Sequence, residues 1–163
     1  MKLKHRVLIT TSGVGSRLGR LTDYSNKSLV IVGDKPALAH IIELYPEDTQ
    51  YVVTLGHFGE HVREFISLAY PKRNFDFVEV SPFTGPGSSL AVSMLQAKDL
   101  LQMPFIYHAS DSIVIGHQIP LPTSNWVAGY KGTDATNYAS FDVSFGQVTR
   151  FHDKGMVNFD FIH

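Results

Sequence analysis

The feature that most constrains the fold of this chain is an alternation, over residues 6–110, of apolar runs with segments of helical periodicity. Four runs rich in branched and aromatic residues predict buried strands: RVLITT (6–11), YVVTL (51–55), FDFVEV (75–80) and FIYHAS (105–110). The three segments with helical spacing are PALAHIIELY (36–45), GEHVREFISLAY (59–70) and SSLAVSMLQAKDLL (88–101). We expect Pro36 in the first turn of its helix, and Ser88 or Ser89 can cap the third helix. This alternation predicts an α/β fold of three layers, α/β/α, with a mainly parallel, Rossmann-like central sheet.

The pattern changes after residue 120, where short strand-like runs are separated by turn residues. These runs are WVAGY (126–130), YASFDV (138–143), QVTRFH (147–152) and FDFIH (159–163), with SFG (144–146) predicting a hairpin turn. We expect these strands to be mixed or antiparallel, added to the same sheet within one domain that covers residues 1–163. The sequence stops inside an apolar run, which predicts a truncated part of a longer polypeptide with an edge strand over residues 156–163.

Charge and composition exclude several classes of function. The 163 residues carry a formal net charge of -1 and include no cysteine. Without a global positive field, we expect no nucleic-acid partner and no membrane partner, and disulfide or thiol chemistry is excluded. No apolar run has the length of a membrane span. These features are consistent with a cytoplasmic protein, and they leave a homo-oligomer open.

The segment TTSGVGSRLGRLTDYSNKSL (10–29) directly follows the first predicted strand. Ligands of open α/β sheets bind beyond the carboxyl ends of the strands, where a glycine-rich turn lets backbone N–H groups approach an anion. Gly13 and Gly15 therefore favour an anion site, although the same spacing also occurs in a tight turn without a ligand. A dinucleotide fingerprint is excluded because Leu18 stands at the third glycine position, and a Walker loop because no lysine follows Gly19.

Four motifs follow one another along nearly the whole chain. They are Gly13-Val14-Gly15-Ser16-Arg17-Leu18 with Asn26-Lys27 and Val32-Gly33-Asp34-Lys35-Pro36, then GPGSSLAVSMLQAKDLL (85–101), FIYHASDSIV (105–114) and YASFDVSFGQVTRFHDKG (138–155). This order resembles the sugar-phosphate nucleotidylyltransferases, also called nucleotide-sugar pyrophosphorylases, and the related cytidylyltransferases that activate phospho-alcohols. The chain departs from that pattern in Thr10-Thr11-Ser12 before the turn, in Asn26 for a proline, in Ser110 for a glycine and in Asp153 for a glutamate.

The resemblance implies a fold of the nucleotide-diphospho-sugar transferase type and a Mg²⁺-dependent reaction. A nucleoside triphosphate would donate its nucleoside monophosphate group to a sugar 1-phosphate or phospho-alcohol and release pyrophosphate, for the synthesis of surface (capsule) polysaccharide precursors. The residues that would contact the nucleotide are Thr11, Ser12, Gly13, Val14, Gly15, Ser16, Gly87, Ser88 and Ser89. Arg17 and Lys27 would be the catalytic charges on the phosphates, Asp111 would hold Mg²⁺, and Lys154 would bind the phosphate of the acceptor.

Each of these residues also has an ordinary interpretation. Arg17 and Lys27 can be solvated surface charges, and the serines of GPGSS can cap a helix in an ordinary loop. Asp111 and Lys154 can be turn residues. His57 and His61 are interpreted as surface histidines, because no third metal ligand accompanies them.

Two other functions remain open. The family normally continues to a second metal-binding aspartate beyond this point, so the chain can be a catalytically silent or fragmentary nucleotide-binding module, which binds a nucleotide better than it turns one over. A glycosyltransferase of the related fold is disfavoured, because that class usually carries Asp-x-Asp where this chain has Ser110-Asp111-Ser112.

Overall fold

The computed structural model of the protein describes residues 4–163, which divide into two compact units, residues 1–123 (described from residue 4) and 124–163. The prediction of a single domain over residues 1–163 stays a prediction. No helix of the described part of the chain is long and apolar enough to cross a membrane.

The first unit contains a four-stranded sheet and a short ribbon. Its strands, in chain order, are β1 (Arg6–Thr10), β2 (Ile31–Val32), β3 (Lys35–Pro36), β4 (Gln50–Leu55), β5 (Asn74–Glu79) and β6 (Phe105–Ala109). β2 and β3 form the ribbon, which is antiparallel. The other four form a parallel sheet in the order β5-β4-β1-β6. Each of the four predicted strands is present and begins and ends within one residue of its predicted bounds.

Three α-helices connect these strands: α1 (Ala37–Leu44), α2 (Gly59–Ala69) and α3 (Leu90–Gln96). Three 3-10 segments accompany them, Ser16–Thr22, Lys27–Leu29 and Lys98–Leu100. The third predicted helix is shorter than expected, because the chain leaves α geometry at Ala97 before the last 3-10 segment. Pro36 lies just before the first helical residue of α1 instead of in its first turn, since its extended backbone pairs with Ile31.

The helices cover both faces of the parallel sheet. Val7 and Ile9 of β1 pack with α1 and α2, in a buried cluster that includes Leu38, Ile42, Val62 and Ile66. Leu8, between them in sequence, points to the opposite face and packs with Val52, Met94 and Ala97. Successive side chains of a strand alternate between faces, so a strand buried on both reads as a continuous apolar run. The predicted three-layer α/β/α fold is confirmed.

The second unit is built on a three-stranded antiparallel sheet. Its strands are β7 (Ser140–Ser144), β8 (Gln147–His152) and β9 (Phe161–Ile162), in the order β8-β7-β9. The predicted hairpin is present, with Phe145 and Gly146 at positive φ between β7 and β8. The predicted antiparallel pairing is confirmed, whereas the expectation that these strands are added to the parallel sheet is wrong, because they form a separate sheet.

The predicted strands at the two ends of this unit are shorter than expected. The run WVAGY contributes a single bridge, from Tyr130 to Ile162. Within the apolar tail, Ile162 is buried in the sheet, whereas Met156 and Val157 are exposed. The predicted edge strand of the tail is therefore only two residues long.

Candidate functional site

Four loops lie at the carboxyl edge of the parallel sheet, one after each strand. Thr10, at the end of β1, is in register with Thr54 of β4 and with Ala109 of β6. From β1 the chain passes to β4 and β5 on one side and then returns to β6 on the other side of β1. The topological switch point, where open α/β sheets bind their ligands, therefore lies between β1 and β6.

The two glycines of the turn after β1 differ in what the fold requires of them. Gly15 has a φ of 67°, and a Cβ atom placed on it would lie 2.8 Å from the Cβ atom of Lys27, so the fold itself needs glycine there. Gly13 does not have a positive φ, and a Cβ atom placed on it would meet no atom within 4 Å. The space beside Gly13 is open, which leaves room for a ligand to approach the backbone.

The two residues before Gly13 hold the turn in place with their side chains. The Thr11 hydroxyl donates to the carbonyl of Thr54 at 2.7 Å. The Ser12 hydroxyl lies 3.1 Å from the hydroxyl of Ser93, a buried residue of α3. Both side chains are therefore engaged within the protein, and the accessible part of the turn begins at Gly13.

Arg17 lies in the 3-10 segment that follows the glycine turn, and its side chain is exposed. Gly19 interrupts this segment with a φ of 54°, and the Thr22 hydroxyl closes it by donating to the carbonyl of Gly19 at 3.1 Å. Arg17 therefore stands beside the turn in a position that is open to solvent. Its assignment to a phosphate stays a prediction.

Lys27 and Asp111 form an ion pair between residues that are 84 positions apart in the chain, with Nζ 3.0 Å from Oδ2. Lys27 follows β1 and Asp111 follows β6, so this pair spans the switch point. The Lys27 side chain is 19% exposed and that of Asp111 is 50% exposed. The expectation that residues 10–29 lie close to Asp111 is confirmed.

A buried histidine, His108 of β6, supports the turn that carries Asp111. Its Nε2 atom lies 2.7 Å from the carbonyl oxygen of Ser112, and its Nδ1 atom lies 2.8 Å from the hydroxyl of Tyr45. Since a carbonyl oxygen only accepts, Nε2 carries the proton and Nδ1 accepts from Tyr45. Burial lowers the pKa of His108, against a smaller opposite effect of the hydrogen bond to Ser112, so the ring is held neutral.

This role of His108 was missed in the sequence, although a signal existed. The residue is polar within the otherwise apolar run FIYHAS, at the position two residues after Ile106. Ile106 packs with α1 and α2, and residues two apart share a face of the sheet. A polar side chain on that buried face requires a hydrogen-bond partner.

The loop between β5 and α3 carries the predicted base-binding residues. Gly85 and Gly87 have φ values of 76° and 86°. The Ser88 hydroxyl donates to the carbonyl of Gly85 at 2.7 Å, and the Ser89 hydroxyl accepts from the backbone N–H of Val92 at 3.1 Å, which caps α3. The capping role of Ser89 is confirmed, and the contacts of Gly87, Ser88 and Ser89 with a nucleotide stay predictions.

The side chains near Asp111 could hold Mg²⁺ if phosphate oxygens of a bound nucleotide supplied further ligands. Within residues 4–163, no three side chains of His, Cys, Asp or Glu are grouped so that they could hold a metal ion. Mg²⁺ is commonly held by one or two carboxylates, with phosphate and water oxygens completing its coordination. The half-exposed Asp111 suits that arrangement, and the buried hydroxyl of the adjacent Ser110 has no hydrogen-bond partner in the described part of the chain.

His57 and His61 both contact the ring of the residue between them in the chain, Phe58. The centroid of that ring lies 4.4 Å from the centroid of His57 and 5.1 Å from that of His61. His61 is exposed and His57 is half-buried. The interpretation as surface histidines therefore holds for His61, whereas His57 is partly covered and its Nε2 atom lies 3.2 Å from the carbonyl oxygen of Thr22.

Lys154 lies in the second unit, in the turn after β8, and is exposed. The next residue, Gly155, has a φ of 83° and donates its backbone N–H to the carbonyl of Ala135 at 2.8 Å. The turn is therefore held within its own unit. The assignment of Lys154 to the acceptor phosphate stays a prediction.

Comparison with known proteins finds one curated relative by sequence. No protein-family model matches the chain. The chain is 26% identical over 113 residues to a probable glucose-1-phosphate cytidylyltransferase of Bacillus subtilis (strain 168). The matched region covers 68% of this chain and 42% of that protein, so the chain spans about two fifths of the length of this relative.

Solved structures share the fold over 98% of the chain. A UDP-glucose pyrophosphorylase complexed with UDP-glucose has a TM-score of 0.72 at 16% identity, with 74% of its own chain covered. CTP:phosphocholine cytidylyltransferase from Streptococcus pneumoniae has a TM-score of 0.69 at 16% identity, with 67% covered. The inositol-1-phosphate CTP transferase from T. maritima has a TM-score of 0.71 at 13% identity, with 67% covered. Together with the curated relative, these structures confirm the resemblance to the sugar-phosphate nucleotidylyltransferases in fold and in sequence.

Proposed function

We propose that the chain binds a nucleoside triphosphate at the switch point between β1 and β6 and transfers its nucleoside monophosphate group to a sugar 1-phosphate or a phospho-alcohol. An oxygen of the acceptor phosphate attacks the α-phosphorus, the bond from that phosphorus to the bridging oxygen of the β-phosphate breaks, and pyrophosphate leaves with the electron pair. The observation that carries the proposal is the Lys27–Asp111 pair, which sets a cation and a carboxylate 3.0 Å apart across the switch point.

The glycine turn supports the same proposal. Gly15 is required by its positive φ and by its closeness to Lys27, whereas a Cβ atom on Gly13 would meet no protein atom within 4 Å, so a ligand can approach the backbone there. A triphosphate fits this space, because the backbone N–H groups from Gly13 to Ser16 can bind its oxygens. Such a site catalyses the transfer mainly by holding two anions together and by neutralising the charge that develops on the leaving group.

Two cations of the first unit would act on the phosphates. The exposed guanidinium of Arg17 presents a planar fork that matches phosphate oxygens, and Lys27 acts as a point charge near the α-phosphate or the pyrophosphate. When bound, Mg²⁺ supplies further neutralisation of the phosphate charge and orients the oxygens around it. Asp111 would hold that cation. The Lys27 ammonium would then bind phosphate oxygens instead of the Asp111 carboxylate.

The remaining assignments concern the nucleotide base, the acceptor phosphate and the place of the reaction in the cell. The backbone of Gly87 and the hydroxyls of Ser88 and Ser89 would bind the base edge, and Lys154 would bind the acceptor phosphate. CTP is the first nucleotide to test, because the B. subtilis relative is a probable glucose-1-phosphate cytidylyltransferase. We place the reaction in the cytoplasm, in the synthesis of precursors for surface polysaccharide.

The test is a thermal-shift panel of CTP, UTP, GTP, dTTP and ATP with Mg²⁺, followed by an assay of pyrophosphate release with sugar 1-phosphates and phospho-alcohols. A ligand at 100 times its Kd stabilises the folded protein by about 2.7 kcal/mol. For a domain of this size that corresponds to a rise in Tm of roughly 5–10 °C. We expect one triphosphate to give this rise, and pyrophosphate to appear only when the phosphorylated acceptor is added.

The matched variants are Asp111→Asn and Asp99→Asn. Asp111→Asn removes the proposed cation ligand and should abolish the Mg²⁺-dependent part of triphosphate binding. Asp99 is an exposed carboxylate in the 3-10 segment Lys98–Leu100, and its substitution should leave binding unchanged. If no triphosphate raises the Tm of the parent chain, the proposed function is wrong.

A further inference from the structure

Asn26, the residue immediately before Lys27, has no solvent-exposed surface. It stands where the chain departs from the proline of the resembling family, so it marks a difference from the pattern and not a motif residue. A polar side chain that is wholly buried requires hydrogen-bond partners, and the identity of those partners shows what the side chain does.

All four hydrogen-bonding positions of the Asn26 amide are occupied. The Nδ2 atom donates to the carbonyl oxygens of Thr11 at 2.7 Å and of His57 at 2.6 Å. The Oδ1 atom accepts from the backbone N–H of Ser28 at 2.9 Å and from its hydroxyl at 2.8 Å. An asparagine amide offers two donors and two acceptor lone pairs, so this side chain has no capacity left for a ligand.

These four bonds join three separate segments of the site. Thr11 directly follows β1, and His57 lies just beyond the end of β4, so the Nδ2 atom links the carboxyl ends of two neighbouring strands. The Oδ1 atom caps the 3-10 segment Lys27–Leu29. The Lys27 backbone is thereby attached to the edge of the sheet through the side chain that precedes it.

His57 extends this attachment to the glycine turn. Its backbone N–H donates to the carbonyl oxygen of Ser12 at 3.0 Å, and its Nε2 atom lies 3.2 Å from the carbonyl oxygen of Thr22. His57, whose carbonyl accepts from Asn26, thus also contacts Ser12 before the glycine turn and Thr22 after it. The Asn26 amide is the buried centre of this set of contacts.

We infer that Asn26 is a positioning residue, which sets the Lys27 ammonium opposite Asp111 by tying the Lys27 turn to β1 and β4, without contacting the nucleotide itself. The inference deepens the proposed function and rests on it for the catalytic meaning of Lys27. A proline at this position could not make these bonds, because its ring offers neither an amide donor nor an acceptor.

The first arm of the test uses no nucleotide and measures the reactivity of Lys27. Reductive methylation with formaldehyde, followed by proteolysis and mass spectrometry, reports the labelling rate of each lysine. In the parent chain Lys27 should react slowly, because its ammonium is paired and mostly covered. Asp111→Asn, which removes the partner, sets the rate for a freed Lys27.

Two variants of Asn26 are compared in this arm. Asn26→Ala removes all four bonds, and Asn26→Ser retains a hydroxyl that can cap the 3-10 segment but cannot reach both carbonyls. We expect both to raise the labelling rate of Lys27 towards that of Asp111→Asn, with the other lysines unchanged. Ser25→Ala, at the adjacent half-buried position, is the control and should label as the parent does.

The second arm measures triphosphate binding by the same variants. A catalytic group displaced by about 1 Å can lose about 100-fold in effect, so we expect Asn26→Ser to weaken triphosphate binding or turnover by about 10- to 100-fold. In a Lys27→Ala background the same substitution should cause no further loss, since Asn26 acts through Lys27. If Asn26 had only a general structural role, its substitution would weaken triphosphate binding or turnover equally in the parent chain and in the Lys27→Ala chain.

The outcomes separate the two proposals. An Asn26→Ser chain that is folded by circular dichroism and labels Lys27 at the parental rate overturns the inference, and so does an equal loss in both backgrounds. If Asn26→Ala does not fold, Asn26→Ser alone decides the labelling result. A parent chain that binds no triphosphate overturns the proposed function, while the labelling arm still decides whether Asn26 positions Lys27.

Discussion

Two loop regions at the carboxyl edge of the parallel sheet differ in how the protein holds them. In the segment after β1, the side chains of Thr11, Asn26 and Ser28 are fully buried and bond to neighbouring strands and turns. In the loop after β5, residues 81–87 are all exposed, and the ties of the loop lie at the surface, as where the Gln96 side chain bonds the backbone of Ser81. The segment after β1 is therefore anchored by buried side chains, whereas the loop after β5 is exposed and is held by hydrogen bonds at the surface.

This difference matches the two parts of a nucleoside triphosphate. The anchored segment would receive the phosphates, which all nucleotides share, and the exposed loop would receive the base, in which they differ. Charges that are held in place stabilise a transition state without rearrangement, whereas an exposed loop can change its residues without unfolding the domain.

The largest effect is expected from the two cations of the anchored region. Lys27→Ala and Arg17→Ala should each reduce triphosphate binding or turnover by about 100-fold, the scale of losing one charge-stabilising group. Because Arg17 is exposed and Asp111, the partner of the mostly covered Lys27, is half-exposed, the free energy of unfolding should change by no more than about 1 kcal/mol. Isothermal titration of the triphosphate and urea denaturation measure the two quantities.

Their matched controls are Arg20→Ala and Lys72→Ala. Arg20 is exposed in the same 3-10 segment as Arg17. Lys72 is exposed just before β5, at the opposite edge of the sheet from the site. If Lys27→Ala and Arg17→Ala bind the triphosphate as well as these controls do, the segment after β1 is only a turn.

The two glycines of the anchored turn should separate stability from binding. Gly15→Ala places a Cβ atom at positive φ and 2.8 Å from the Lys27 Cβ atom, and should lower the free energy of unfolding by about 1–3 kcal/mol. Gly13→Ala meets no protein atom, so stability should stay within about 0.5 kcal/mol of the parent while triphosphate binding weakens. Equal losses of stability in the two variants would contradict this distinction.

His108 should make the support of Asp111 depend on pH. Burial lowers the pKa of the folded ring below its ordinary value of 6.5, so the unfolded chain takes up the proton first as the pH falls. Stability is unaffected by this group above the ordinary pKa and is lost as the pH falls from there towards the folded pKa. His108→Gln has no ring to titrate, and should lose less free energy of unfolding than the parent between about pH 8 and about pH 5.

Urea denaturation of both chains at each pH gives this comparison, and the seven other histidines cancel in the difference. His108→Gln should itself be less stable by about 0.5–1.5 kcal/mol near neutral pH, from its altered hydrogen bonds to Tyr45 and Ser112. Parallel pH profiles for the two chains would show that the ring is not neutral and buried as described.

The smallest effect is expected from the exposed loop. The Ser88 hydroxyl donates to the carbonyl of Gly85 in the same loop, so Ser88→Ala should change the free energy of unfolding by no more than about 0.5 kcal/mol. It should alter the ranking of CTP, UTP, GTP, dTTP and ATP in the thermal-shift panel. Ser89→Ala also removes the cap of α3 and should in addition cost about 1 kcal/mol of stability.

Local patterns in the sequence predicted the elements of the first unit well. The strands follow apolar runs because a parallel strand covered on both faces has almost no polar positions, and β1 shows this in Val7, Leu8 and Ile9. The end of α3 was misplaced, because the apolar spacing continues through Leu100 and Leu101 while the backbone tightens into a 3-10 turn. Periodicity reports which side chains face the core, and it does not report where the backbone changes its helical type.

Asn26 and His108 show why the support of the site could not be predicted. Asn26 differs from the resembling motif and is interpretable only through its partners Thr11, His57 and Ser28. His108 likewise depends on Tyr45, which lies 63 residues away in the chain. Buried hydrogen bonds between distant segments leave no periodic signal, since their partners are defined by packing.

The amino-acid sequence alone predicts the alternation of strands and helices, the glycine turn after β1 and the position of Asp111 at the end of a strand. Two features appear only in the folded structure: β6 pairs with β1, the strand that precedes the Lys27 segment in the chain, and the later strands form a sheet of their own. The reason is that hydrophobic spacing is a local property, whereas the order of parallel strands depends on which helix can cover which face after a long crossover. The Lys27–Asp111 pair exists because that order brings the segment after β1, which includes Lys27, beside the turn after β6, although the two residues are 84 positions apart.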